Sequence, residues 1–411
     1  MIDIKKIRED LVWYKEVCRK KNKNVDIDKL ILLDDRRKEL QRKIDETKFQ
    51  QKQLAEKKNY EWAKSLKTEI QTIEAEYNII MEEFNKMMLT MPNFISPNVP
   101  VWKDDTENIV IKNVNEPTKF DFQILDHIEL MKKYDMIDVE RGVKLSWARS
   151  YFLKNDWMML EQAILQYALK KLVWKWFSPF SVPNMVNPEC LVWTWYFPGW
   201  EEDAYQLERD NQRLIATAEI PITAYHTNEI LEEEELPKKY VWLSPCYRRE
   251  AGTYGKDTAW IYRVHQFNKV EQVIIMSEDI TQSDLRHEKI LQNSMDILDD
   301  LKLPYRLLQL CTWDLSLWKY NSHDLECRMP SRNSYGETHS ATSFLDFQAR
   351  RLNIRYRTKT WELKYCYTLN NTVIASPRIL IPIIENYQQK DGTIKIPDVL
   401  VPYMWKKVIW W

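Results

Sequence analysis

Between Tyr240 and Val273 the chain reads YVWLSPCYRREAGTYGKDTAWIYRVHQFNKVEQV, with charged and aromatic residues recurring at every second position. Strand side chains alternate between two faces, so this spacing predicts two β-strands joined by a loop of about ten residues that holds Gly252 and Gly255. Arg248 and Glu250 then share a face of the first strand. Arg263, His265, Phe267, Lys269 and Glu271 share a face of the second, with Val264 and Val270 opposite. An ordinary half-buried strand sets apolar residues on one side and solvated ones on the other. Two arginines suited to forked oxyanion contacts, an aromatic ring and two carboxylates instead describe a floor for an anionic, ring-bearing ligand such as a nucleotide. Arg249 points the other way, so its backbone rather than its side chain is expected to take part.

The rest of the chain must position that surface. Its 411 residues suggest two or three domains with ample chain for a core. The net charge of −1 excludes a global electrostatic case for nucleic acid; any such surface must be local, and DNA is not expected as a partner. Six scattered cysteines form no C-x-x-C pair, so zinc is not expected and reduced thiols in a cytoplasmic protein are. There is no signal peptide and no apolar run that would span a bilayer, so neither export nor a membrane partner is expected.

The wording RREAG followed by RVHQFNKVE resembles motif 2 of the class II aminoacyl-tRNA synthetases, in the form used by seryl-tRNA synthetases. The resemblance implies an α+β fold: a class II antiparallel-sheet catalytic domain over residues 115–411, preceded by an N-terminal antiparallel coiled-coil arm within residues 1–105. It implies that Arg248 holds the α-phosphate and the substrate carboxylate, that Glu250 accepts from the adenine amino group and that Phe267 stacks on adenine. Arg263 would reach the phosphates, Arg249 and Val264 would border ATP, and Glu271 would meet serine. LIATAE, Leu214 to Glu219, is similar to the family's TAE loop, which implies that Thr217 and Glu219 bind serine at its amino group, with backbone from Ala218.

Further along, the Glu-Thr-His-Ser run implies Glu337 and Ser340 as ligands of catalytic magnesium and ATP, with Thr338 and His339 between them and His339 in a structural role. YTLNNTVIASPRILIPIIENYQQ resembles motif 3, a strand running into a helix. There Ser376 would cap the helix, Pro377 take its first position and Arg378 meet the γ-phosphate from the first turn. Asn370 and Thr372 fall on serine-pocket positions, and Pro382 would bend the helix. The catalytic set is then Arg248, Arg378 and Glu337, acting by positioning and charge rather than as nucleophiles.

The arm is read from its periodicity. Leu33, Leu40, Ile44 and Leu54, then Leu66, Ile70, Ile73, Tyr77, Ile80, Phe84, Met87 and Met91, keep a spacing of three and four. Two helices of roughly 45 Å follow at 1.5 Å per residue, forming a coiled coil over about 27–92. Asp26 or Asp28 caps the first, 57–60 breaks the register and Pro92 ends the second. Arg36, Arg42, Lys43, Lys48, Lys52, Lys57 and Lys58 line its polar face; the resemblance makes them phosphate contacts for the long variable arm of tRNA(Ser), with tRNA(Sec) a second candidate.

Residues 92–119, rich in Pro, Asn and Asp, read as a connector. A helix over about 158–173 leads to Pro183, which matches motif 1 and implies a homodimer. The stretch 275–302 reads as a surface helix.

Glycine is scarce: 6 residues, against 18 tryptophans. The usual share of roughly 7% would give about 29. Set against the family, Trp147, Trp157, Trp193, Trp195, Trp242, Trp260, Trp313, Trp318 and Trp405 fall on glycine positions, whereas Trp13, Trp62 and Trp200 fall on neither side. Some bacteria read UGA as glycine, and translation with tryptophan at that codon produces this pattern. The intact mass of natively expressed protein tests the idea; a mass matching tryptophan throughout overturns it. If Trp195, Trp260 and Trp313 stand, a catalytically inactive RNA-binding paralogue is the competing reading, since indoles would crowd places where backbone turns sharply or approaches ligand.

Overall fold

The structure is a computed structural model that describes residues 1–56, 60–102, 104–251 and 261–410. Lys57, Lys58, Trp260 and the glycines of the 252–260 loop lie outside the described residues. The chain divides into two compact units, Met1–Phe94 and Ile95–Trp411.

In the first unit two short helices, Ile4–Glu9 and Leu11–Lys20, precede the long pair Ile27–Glu56 and Tyr60–Thr90. Asp3 and Asp10 cap the short ones by accepting from the backbone of Lys5 and Trp13. The heptad-like spacing shows only the long pair, because six to ten residues are too few to display a period. Of the two candidate caps, Asp26 is the one used, accepting from the Lys29 N–H at 2.9 Å. Leu33, Leu40 and Ile44 are buried with Ile70, Phe84, Met88 and Met91. Each such side chain contributes about 1.5–3 kcal/mol when fully buried. The seam thus takes the four-step from Phe84 to Met88, leaving Met87 only partly buried. Arg36–Glu76 at 2.5 Å and Lys48–Glu74 at 2.7 Å cross between the two helices.

The second unit is organised on an eight-stranded sheet: β1 (Ile109–Val114), β2 (Ser178–Pro179), β3 (Lys238–Tyr247), β4 (Gln266–Met276), β5 (Tyr305–Gln309), β6 (Asn321–Met329), β7 (Ser334–Leu345) and β8 (Tyr367–Ser376). Their order across the sheet is β1-β5-β6-β7-β8-β4-β3-β2, antiparallel except for β2 beside β3. The expected connector therefore contains an edge strand, β1; its proline-rich flanks masked six residues of β-branched and polar chain.

Parity sorts the sheet's two faces. Val270, Gln272 and Ile274 of β4 and Asn371 of β8 turn towards the helix Ile280–Asp300, where Gln272, Asn371, Asn293 and Ser294 form a buried hydrogen-bonded cluster at 2.6–2.8 Å. That helix is no mere surface element: His287, Ile290, Ile297 and Leu298 are buried beneath the sheet. The helix Asn155–Trp174 packs nearby through Leu160, Ile164, Ala168 and Leu172. The opposite face, with Phe267, Lys269, Glu271, Asn370 and Thr372, carries the site.

Candidate functional site

The central hairpin departs from its expected geometry at its open end. β3 stops at Tyr247 and β4 starts at Gln266, so Arg248, Glu250, Arg263, Val264 and His265 belong to the connection. The ladder continues one step, with the Arg248 N–H bonded to the His265 carbonyl at 2.9 Å. Glu250 then adopts φ 54°, which ends strand parity. The shared face consequently breaks up: His265 borders a different cavity, and Val264, expected opposite, joins the site.

A cavity of about 180 Å³ gathers most of the expected residues. Arg248, Glu250, Val264 and Phe267 border it from the hairpin, Glu271 from β4 and Glu219 from the N-terminus of a short helix. Glu337, Thr338, His339 and Ser340 enter from β7, Asn370 and Thr372 from β8, and Arg378 from the turn after β8. Thr217 and Ala218 are buried outside the lining, the Thr217 hydroxyl accepting from the Glu219 N–H at 3.2 Å. Arg263 borders an adjoining cavity with Arg248 and Glu250, its Nη1 3.5 Å from Glu250 Oε2. Arg249 is exposed, lies outside the lining of the cavity, and gives its N–H to the Asp203 carbonyl at 2.9 Å.

Two ends can be told apart by their partners. At one, the Arg248 guanidinium lies 5.2 Å from the centre of the Phe267 ring, and Arg378 lies 4.4 Å from that of Tyr262. Arg378 Nη1 stands 3.2 Å from Glu337 Oε2. Burial opposes ionisation of Glu337, but Arg378, Lys319, Arg248 and Arg263 outweigh it and hold the carboxyl below its usual range. Burial and Glu337 push neighbouring Asp324 up to about 8, against the pull of Lys319 and Ser340. Burial lowers His339 to about 4, so it is neutral near pH 7, with Nδ1 2.8 Å from Thr338 Oγ1.

At the other end, Glu271 pairs with Lys269 at 2.6 Å, both side chains nearly inaccessible, and accepts from Thr372 Oγ1 at 3.3 Å. Burial pushes Glu219 up to about 7 even though Trp195 and Gln348 donate to its Oε1 at 2.9 and 2.7 Å.

The helix of the motif 3 region begins later than expected. Ser376 ends β8 and gives its hydroxyl to Glu161 at 2.5 Å instead of capping. Pro377 and Arg378 occupy a turn, and the helix runs over Leu380–Tyr387 with Pro382 in its first turn. Arg378 is therefore placed by its contacts with Tyr262 and Glu337, not by the helix's first turn. Lys319, Tyr262 and Asp324 carried no signal in the sequence; Lys269 carried one by sharing the parity of Phe267 and Glu271, and Trp195 by falling on a glycine position where an indole would crowd backbone or ligand.

Residues 1–95 match the seryl-tRNA synthetase N-terminal domain, and residues 205–387 match the tRNA synthetase class II core domain (G, H, P, S and T). A serine–tRNA ligase of Deinococcus radiodurans is 38% identical over 98% of this chain and 97% of its own length. One from Fervidobacterium nodosum is 40% identical over 100% and 99%. The chain belongs to the seryl-tRNA synthetase family. Among solved structures, the seryl-tRNA synthetase of Pyrococcus horikoshii complexed with ATP superposes with a TM-score of 0.92 at 32% identity, covering 100% of this chain and 99% of that one. The α+β class II fold with a long N-terminal helical pair is thus the family's. None of these findings supports the inactive paralogue. Among the described residues, no helix is long and apolar enough to cross a membrane and no group of three or more His, Cys, Asp or Glu is arranged to hold a metal.

Proposed function

We propose that this chain activates L-serine with ATP as seryl-adenylate, releasing pyrophosphate, and passes the seryl group to the 3′ end of tRNA(Ser), with tRNA(Sec) as a second candidate acceptor. At the coarser level of serine–tRNA ligase, the reading follows from family membership. The observation that carries the finer one is the division of a single cavity: guanidinium groups over Phe267 and Tyr262 at one end, Glu219 and Glu271 at the other.

In this reading Phe267 stacks on adenine, Glu250 accepts from its amino group, and Arg248 bridges the α-phosphate and the serine carboxylate. Arg378 and Arg263 take the outer phosphates. Glu219 and Glu271 receive the ammonium, while Asn370 and Thr372 stand beside the hydroxyl, whose buried partners would reject alanine. Thr217 and Ala218 act by shaping the turn that presents Glu219. No side chain attacks: the serine carboxylate adds to the α-phosphorus, and the chain contributes orientation and charge.

Magnesium fits the residues present. Glu337 and Ser340 offer oxygen donors, and Oδ1 of Asp324, whose strand pairs it with Ser340, is buried with no hydrogen-bond partner among the described residues. Bound there, the ion would neutralise phosphate charge. The helical pair, through Arg36, Arg42, Lys43, Lys48, Lys52 and the undescribed Lys57 and Lys58, is proposed to grip tRNA phosphates, and the assembly to be a homodimer. Serine-dependent ATP–pyrophosphate exchange tests the reading. Arg248→Ala should lower exchange at least about a hundredfold, the loss of two charge-assisted hydrogen bonds at about 1.5–3 kcal/mol each being the guide. Unchanged exchange in that variant rejects it.

A further inference from the structure

The amino-acid end of the cavity is closed by an indole. Trp195 ends the helix Pro188–Thr194 with φ 103° and ψ −12°, its N–H bonded to the Val192 carbonyl at 3.3 Å. A helix terminus in that left-handed region favours glycine, because a Cβ there crowds the neighbouring carbonyl. The Trp195 ring is only 9% exposed and stacks at 4.0 Å on both Tyr196 and Trp318. Its Nε1 donates at 2.9 Å to the same Glu219 oxygen that Gln348 reaches at 2.7 Å. One of the two acceptor atoms available to a substrate ammonium is thereby filled from both sides. The whole cavity, both ends together, holds about 180 Å³, below the roughly 300–1,000 Å³ usual for small-molecule sites.

The conflict between residue and backbone at 195 recurs. Trp405 caps the helix Val401–Met404 at φ 54°. Trp176 has φ 64° where Phe177 N–H turns back to the Leu172 carbonyl at 3.1 Å, the bond that closes a glycine-type helix end. Trp361 has φ 69° in a tight turn on the Thr358 carbonyl. Three of these rings, at 176, 361 and 405, lie in solvent, 79–85% exposed, so packing does not explain them. At 195 alone among these four the ring points into the site.

We propose that position 195 controls entry to the serine pocket: the ammonium of the substrate and the Trp195 indole compete for Glu219, so the substrate requires a small residue there, and the left-handed backbone favours glycine among them. This rests on the serylation reading above, so the test is arranged to separate the two. Serine-dependent exchange and calorimetric binding of ATP are measured on the full chain with Trp195, on Trp195→Gly and on Trp195→Ala. The alanine variant empties the same space yet keeps a Cβ at positive φ. The expected result is a serine KM lower by about tenfold or more in both variants, with ATP affinity little changed, the size of effect that relief of a steric block in a binding pocket commonly has. Equal serine KM in the Trp195 chain and Trp195→Gly overturns this inference and leaves serylation standing. A gain in the glycine variant without one in the alanine variant also overturns it, since backbone relief and not space would then be the cause. Absence of serine-dependent exchange in all three, with ATP still bound, rejects the serylation reading and this inference with it.

Discussion

Replacing Glu219 with glutamine should alter how the protein's stability varies with pH, and by an amount the structure sets. Glu219 is 3% exposed, and burial, with Glu271 adding to it, pushes its carboxyl from about 4.5 to about 7 against the opposing bonds from Trp195 and Gln348. The folded chain holds that proton more tightly than the unfolded one. Its contribution to stability is therefore complete below pH 4.5 and is lost as pH rises through 7, after which it stays constant. Each pH unit between the two values is worth about 1.4 kcal/mol, so the cost of ionising Glu219 in place approaches ~3 kcal/mol. Glutamine keeps an oxygen for the Trp195 N–H and carries no such cost. Glu219→Gln should thus gain on the parent steadily from pH 4.5 to 7 and hold that gain above. At roughly 2.1 cal/mol/K per residue over the catalytic unit, ~3 kcal/mol corresponds to about 4 °C in Tm. Paired calorimetric scans from pH 4.5 to 9 measure the difference, in which all other titrating groups cancel. Parallel curves would show that Glu219 is not strained by burial and would refute the argument. The same substitution should weaken serine, because the ammonium loses a charged partner.

The buried pair His287 and His323, with Nε2 and Nδ1 3.2 Å apart, works in the opposite sense: burial lowers them to about 3 and 4, so stability is whole above pH 6.5 and declines as pH falls towards 4. His323→Gln should flatten that acid limb by up to ~3 kcal/mol in urea titrations, and an unchanged limb would count against a neutral buried pair. On the helical pair, Arg42 and Lys52 are exposed, and Arg42 is only loosely held by Glu46 at 3.6 Å. Arg42→Ala with Lys52→Ala should weaken tRNA binding and reduce the salt dependence, log K against log salt, by about one to two, at roughly 0.7–0.9 for each phosphate no longer neutralised. Exchange should not change, and equal salt slopes in filter binding would remove these residues from the interface.

What could be read from the sequence follows the range over which each physical signal acts. A spacing of three and four needs only neighbouring turns, so the long helices were legible from Leu33 to Phe84, and the slip from Met87 to Met88 is one residue in the last turn of a helix that ends at Thr90. Alternation is equally local and placed Phe267, Lys269 and Glu271 together. It failed at Arg263, Val264 and His265, where the strand had not begun and Glu250 had already left the extended region. Ser376 followed by Pro377 is an equally good signal for a helix start and for a strand end. What decided it was Glu161, more than two hundred residues away in sequence, which takes the hydroxyl. Lys319, Tyr262 and Asp324 reach the site only through such long-range packing. The glycine deficit, by contrast, was visible at once, and the left-handed backbone at Trp195 and Trp405 gives it a conformational reason that composition could not.

The two ion pairs of the cavity suggest why its ends behave differently. Arg378 and Glu337 meet at 3.2 Å with their side chains 19% and 44% exposed, a half-buried pair that is more open than Lys269 and Glu271. Phosphates can therefore take Arg378 from Glu337 more readily than any ligand could part the buried pair, which frees the carboxylate as an oxygen donor. Lys269 and Glu271 are almost wholly buried, and separating a buried pair costs about 3–5 kcal/mol. No ligand would be expected to break it. In the proposed reading Glu271 would receive the ammonium while still held by Lys269, which leaves Glu219 as the carboxylate with no ion pair of its own among the described residues. An anion end that opens and a cation end that is preset would let ATP bind without serine, whereas serine should depend on Glu219 being ionised. Serine KM should accordingly fall about tenfold per pH unit as pH rises towards 7, with ATP affinity flat over the same range. A serine KM that is flat across that range would place the ammonium elsewhere than Glu219.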